Sequence, residues 1–140
     1  SICFDSYSGI ILGNGYKIYN FEVDYDSTRN GLKGELDDLN GTLNHLYISL
    51  FFELKDATIK DVTFTDMIID VNTSYSKIKY IVIAPLAITS SNVKLENVNI
   101  EGSISFRKTP ECEITVVNDK FCYRDNNVEI VNSSVIIKEE

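Results

Sequence analysis

The sequence predicts an all-β fold, a short right-handed β-solenoid (β-helix) of three to four coils. Three observations lead there. The first is an internal repeat: Ala57-Thr-Ile-Lys-Asp-Val-Thr-Phe-Thr-Asp66 returns 36 residues later as Val93-Lys-Leu-Glu-Asn-Val-Asn-Ile-Glu-Gly102. Ile59 falls on Leu95, Asp61 on Asn97, Val62 on Val98, Phe64 on Ile100 and Ile68 on Ile104. Weaker copies lie at Tyr16–Asp24 and Asn127–Val135. A period of this length marks stacked units, none of which can bury its apolar face alone. The second observation is alternation. Ala57 and Ile59, then Val62 and Phe64, are two apart, which is strand spacing. Asp61 breaks the phase, so a corner is expected there, where Asn and Asp tolerate left-handed backbone. Asn20, Asp61, Asn97 and Asn132 share that position, and stacking is expected to set them in one column. The third is composition. Eight Tyr and seven Phe, with no Trp, join many Val, Ile and Thr residues, and these favour strands.

The elements follow in chain order. Ser8–Leu12 reads as a short strand and Gly13-Asn-Gly15 as a tight turn; Tyr16–Asp24 is the first copy. Residues 25–41 are the least regular stretch. Leucines at 32, 36, 39, 43 and 46 have helical spacing, so one short helix is expected near 33–46, covering an open edge of the stack. Tyr47–Leu54 is a hydrophobic strand leading into the strongest copy at 57–70. Residues 72–76 form a polar turn, Ile78–Ile88 repeats the 47–54 strand, and the next copy runs to Phe106. Residues 107–126 read as a hairpin. Its Cys112 and Cys122 are either clipped by a disulfide, which needs an oxidising compartment, or two separate buried thiols.

Length fits a single domain over 1–140, read as a fragment of a longer surface protein. The net charge of -8 repels phosphates, and no basic stripe carries aromatics, so nucleic acid is not an expected partner. No apolar run approaches a membrane span, so no membrane insertion is expected. Cysteine spacing excludes a zinc finger. The acids at Asp24–Asp26 and Asp37–Asp38 lack EF-hand spacing. No metal and no cofactor is expected.

The residues also match a known pattern. Phe4 to Val23 contains Tyr7-Ser-Gly-Ile-Ile-Leu-Gly-Asn-Gly-Tyr-Lys-Ile-Tyr-Asn20. It resembles the opening element of bacterial and phage surface β-solenoid repeat proteins of the GLUG-like type. Leu50-Phe-Phe-Glu-Leu-Lys-Asp-Ala-Thr-Ile-Lys-Asp-Val-Thr-Phe64 resembles their next element, and Ile83–Ala87 with Val93–Ile104 their repeat. The likeness spans about residues 4–106. It departs at Ile83-Ala84-Pro85, where the family has paired glycines. The resemblance implies a secreted, cell-surface or phage-associated module for adhesion or display, and carries no catalytic residue across.

The expected function is therefore a non-enzymatic extracellular binding module for glycan or protein. Tyr16, Tyr19, Tyr25 and Tyr47 are the candidate contact aromatics, beside the 25–41 insertion. Self-association, end to end or trimeric, is the other partner arrangement. The alternative is a small β-helix polysaccharide hydrolase or lyase using paired carboxylates from Asp61, Asp66 and Glu96, since neighbouring coils would place acids within the required 5–9.5 Å or so. A third reading, an acidic intracellular inhibitor or decoy, rests on charge and size alone. The single histidine, His45, reads as an exposed loop residue.

Overall fold

The computed structural model describes residues 2–26, 36–37, 45–74 and 78–140, and the side chains of 5–26, 45–74 and 78–140. Nine strands are present among the described residues: β1 (Ile2–Tyr19), β2 (Glu22–Asp26), β3 (Leu36–Asp37), β4 (His45–Asn72), β5 (Tyr80–Ile83), β6 (Ala87–Arg107), β7 (Glu113–Val116), β8 (Cys122–Val131) and β9 (Ser134–Glu139). The protein is all-β, and nearly every pairing is parallel.

Four tiers lie side by side. β1 and β2 form the first, β4 the second, β5 and β6 the third, and β7 to β9 the fourth. Ala57 pairs with Val93 and Val93 with Val128, offsets of 36 and 35 residues. The offset is 47 between Ser6 and Glu53, because the 27–44 segment intervenes. Two ladders share β4. Its first residues, His45 to Ile48, pair with β5, which pairs with β7. The rest of β4 pairs with β1 and β2 on one edge and β6 on the other.

The core follows from alternation with a regular slip. Between Asp56 and Asp70 of β4 the buried residues are Ala57 and Ile59, Val62 and Phe64, then Met67 and Ile69. Between these pairs Asp56, Asp61 and Asp66 have φ of 50°, 57° and 60°. Each left-handed residue shifts the phase by one, so the next apolar pair still faces inward. Asn92 and Asn97 do the same in β6, and Asn127 and Asn132 in β8 and beyond. Asn and Asp are the non-glycine residues that adopt this conformation most readily.

Stacking aligns these residues, and their side chains bond across tiers. The Asn92 Nδ2 donates to Asp56 Oδ1 at 2.8 Å, and Asn127 Nδ2 to Asn92 Oδ1 at 3.0 Å. In the next column Asn97 Nδ2 donates to Asp61 Oδ1 at 3.1 Å. Asp61, Asn97 and Asn132 thus fall in one column, but Asn20 does not. Tyr19 pairs with Thr65 and Glu22 with Ile68, which sets Asn20 level with Asp66, one corner further on. In the first tier the place level with Asp61 is taken instead by Gly13, Asn14 and Gly15, since Leu12 pairs with Lys60 and Tyr16 with Val62.

A second shift occurs at Asp66, where Phe64 pairs with Ile100 but Met67 with Gly102. Ile104 therefore lies beside Ile69, not Ile68. A Cβ on Gly102 would overlap the Met67 carbonyl, so only glycine fits the close approach.

Two further expectations are corrected. Leu36 and Asp37 are extended and pair antiparallel with Leu46 and His45, so no helix spans 33–46. Leu46 alternates with Ile48 on the buried side of β4, which overrides the helical spacing. The other residues of that helix, 33–35 and 38–44, lie outside the described residues. The 107–126 stretch is not a hairpin, since β7 joins β5 and β8 joins β6, both parallel. Cys112 and Cys122 thus stand on separate ladders, and both are free, buried thiols. Among the described residues no helix is long and apolar enough to cross a membrane.

Two outcomes follow for stability in urea. Asn92→Ala should be about 1–2 kcal/mol less stable than Asn92→Gly, because alanine resists the left-handed backbone; equal losses would mean that the cross-tier bonds alone matter. Gly102→Ala should cost about 1–3 kcal/mol through overpacking against the Met67 backbone.

Candidate binding recess

The parallel register builds an aromatic cluster at the second ladder. His45 opens β4 and pairs with Tyr80, which pairs with Glu113. Tyr47, two residues on, shares the face of His45 and pairs with Val82, which pairs with Thr115. His45 stacks on Tyr80 with ring centroids 4.8 Å apart and planes 21° apart. It also lies 6.2 Å from Tyr47, at 15°. Tyr47 in turn meets the edge of Phe52 at 5.6 Å. The rings are held from beneath, since Tyr47 and Tyr123 pack on a small core of Val82, Ala84, Ile88 and Val117.

His45, Tyr47, Tyr80 and Tyr123 line a recess of about 140 Å³ together with Glu113, Thr115 and Arg124. The Arg124 guanidinium lies over the Tyr123 ring, 5.2 Å from its centroid. Aromatic faces, one cation, one carboxylate and a hydroxyl therefore converge on one small opening. Ligand sites combine such ring surfaces with directed polar groups.

The anticipated contact tyrosines separate into three groups. Tyr47 is in the recess. Tyr25 is 1% exposed and belongs to the core, so it reaches no ligand. Tyr16 and Tyr19 are exposed on β1, away from the recess. Of the 25–41 insertion, 27–35 and 38–41 lie outside the described residues. The sequence reading missed Tyr80, Tyr123 and Arg124, and took His45 for a loop residue, whereas it is a half-buried strand residue. The available signal was the 35-residue offset between His45 and Tyr80, close to the repeat period.

The carboxylates weighed for hydrolysis are engaged elsewhere. Asp61 accepts the Asn97 amide. Glu96 pairs with Lys60 at 3.1 Å and Lys94 at 3.9 Å. Asp66 is exposed at the following corner. A different set, Glu22, Asp24 and Asp70, brings carboxylate oxygens within 4.8 Å of one another. Hard oxygens of this kind suit calcium, but three supply only part of the six to eight or so ligands that ion takes. Asp70 also accepts a hydrogen bond from the Ser105 hydroxyl at 3.1 Å.

A polar groove of about 350 Å³ follows the Asp56–Asn92–Asn127 column, flanked by Thr58, Lys94 and Glu129. It contains no aromatic ring.

No family model, no curated protein and no solved structure matches the chain.

Burial sets the behaviour of the thiols. It pushes the Cys122 thiol from 9.0 up to about 12, against the opposing hydrogen bond from Ser90. Burial raises Cys112 as well, opposed by Lys108 and Thr73. A pKa raised by folding gives stability that is complete below the unfolded value near 9 and is lost as pH climbs towards 12. The loss is about 1.4 kcal/mol per pH unit for one thiol. The stability gap between wild type and Cys122→Ala, read from urea unfolding, should therefore narrow steadily above pH 9. A constant gap would show that Cys122 titrates as an exposed thiol does. Without reductant, both thiols should resist alkylation in the native protein and label fully once it is unfolded.

Proposed function

We propose that the four tiers wind as a short right-handed β-solenoid, and that the chain is a non-enzymatic extracellular binding or display module, adhesin-like or phage-associated. Parallel tiers offset by 35 or 36 residues favour that winding, because parallel crossovers are almost always right-handed. The same geometry agrees with relationship to the GLUG-like surface repeats.

The observation that carries the binding reading is the His45–Tyr80 stack beside Tyr47, bordered by Glu113, Thr115 and Arg124. A sugar ring has an apolar C–H face and a rim of hydroxyls. Flat aromatic walls suit the face, and the charged and hydroxyl groups suit the rim. The recess is smaller than the roughly 300–1,000 Å³ of drug-sized sites, which fits one sugar unit of a longer glycan. The hydrolase alternative gains no comparable support, since Asp61 and Glu96 already serve neighbouring side chains.

A glycan and protein array, run beside a polysaccharide-degradation screen, tests this. Binding without turnover is expected. Tyr80→Ala should weaken it roughly tenfold, the loss of about 1.4 kcal/mol of ring contact, while Tyr16→Ala leaves it unchanged. Turnover of any polysaccharide, or binding indifferent to Tyr80, would sink the proposal.

A further inference from the structure

Among the described residues no further strand pairs with either edge of the tier stack. Among the described residues, β1 and β2 pair only with β4, and β8 and β9 only with β6. An open parallel edge presents unpaired backbone groups and invites another strand. Here the edges also carry most of the exposed apolar side chains among the described residues.

The large hydrophobic residues exposed in the described chain fall in three places. Ile10, Leu12, Tyr16, Ile18 and Tyr19 lie on β1, and Ile130 and Ile136 on β8 and β9. Tyr80 lines the recess and Phe52 packs against Tyr47 beside it. Between the ends, the outward positions are polar. The column that holds Leu12 in the first tier holds Lys60 and Glu96 in the second and third, and Val131 in the fourth. Scattered apolar exposure is ordinary, but concentration at two facing ends marks interaction surfaces.

The register says what fits. Ile11, Ile59, Leu95 and Ile130 form one column, and Ile18, Phe64, Ile100 and Val135 another. A fifth tier on β8 and β9 would continue both columns if it were the β1 of another copy. Ile11 would then cover Ile130, Ile18 would cover Val135, and Leu12 would lie beside Val131. Tyr19 would meet Ile136 across the Asp66 bulge. Charge agrees at the corner beyond, because Glu22 and Lys138 occupy one column through Ile68 and Ser103.

We propose that copies of this chain join head to tail, the β1–β2 edge of one pairing in parallel with the β8–β9 edge of the next. The contact is heterologous and does not close on itself, so it yields an open series. It does not rest on the sugar reading: the residues that carry it, Ile130, Val131, Val135, Ile136 and Lys138, lie beyond Tyr123 and Arg124, the two recess residues on β8. Opposing it are the net charge of -8 per copy and the approach of Asp24 to Glu139 and Glu140. Salt screens both, so association strengthens as salt rises.

Sedimentation of the full chain over a range of concentrations, at low and physiological salt, is the test. The mass should rise with concentration, rise further with salt, and pass beyond two copies. A constant monomer mass overturns the proposal, as does a series that stops at a dimer. Leu12→Lys and Ile136→Lys change residues that are each 60% exposed, and circular dichroism should show both folded. Each spoils one edge, so each alone should be monomeric. Mixed in equal amounts they retain one good pair of edges and should form a dimer and nothing larger. A mixture that stays monomeric, or a single variant that still assembles, overturns the proposal. Lys138→Glu should weaken the junction about twofold to fivefold, as for an exposed ion pair, and Glu22→Lys in the same chain should restore it.

Discussion

The Asn and Asp residues in left-handed backbone set the terms for the rest of the molecule. Asp56, Asp61 and Asp66 come five apart in β4. A non-glycine residue in that conformation costs about 1–2 kcal/mol. Repeated along a strand, the cost would unravel it. Stacking supplies the offset. Asn92 reaches Asp56 on one side and receives Asn127 on the other, and each such bond returns about 1 kcal/mol. The bonds need equal offsets in successive tiers, so the conformation and the period of the repeat depend on each other. The apolar pairs between these corners then face inward in every tier and build one continuous core.

Much of this was legible where the signal is local. The slip at Asp61 in an otherwise alternating strand announced a corner, and the same slip at Asn97 announced its repeat. Asn20 misled because Tyr16–Asp24 alternates alike on both sides of it. The place level with Asp61 is already filled by Gly13-Asn-Gly15, so Asn20 falls level with Asp66. The leucine spacing misled because Leu46 is buried in β4 and Leu36 is extended in β3. Cys112 and Cys122 misled through nearness in sequence. Parallel tiers send adjacent segments to different ladders, so chain distance predicts little about contact. The recess had no local signature, because His45, Tyr80 and Glu113 come from three tiers and meet only through register.

The second ladder explains why the recess forms there. The strands β5 and β7 are short, four residues each, and they pair only with the beginning of β4 and with each other. Their small core of Val82, Ala84, Ile88 and Val117 faces one way. Tyr47 and Tyr123 close its margin. A ring at such a margin packs its apolar body and leaves its polar tip outside. Aromatic residues there serve the fold and remain available to a ligand, which is why Tyr47 and Tyr123 combine partial burial with a place in the recess.

The two ends of the stack differ from its middle in a way that bears on assembly. An inner-tier side chain has a neighbour on each side in its column, and polar neighbours satisfy each other, as Lys60 does with Glu96. An end-tier side chain has one neighbour and faces water. Proteins that must stay single place charge or proline at such edges. This chain places Leu12, Tyr19 and Ile136 there instead, and among the charges it does place, Glu22 and Lys138 are opposite in sign and share a column. The side chains at the ends therefore do little to refuse a further tier. What opposes growth is the net charge, which acts at long range and weakens with salt. An attraction that is local and matched in register, set against a repulsion that is diffuse and screened, makes stacking conditional on ionic strength and concentration.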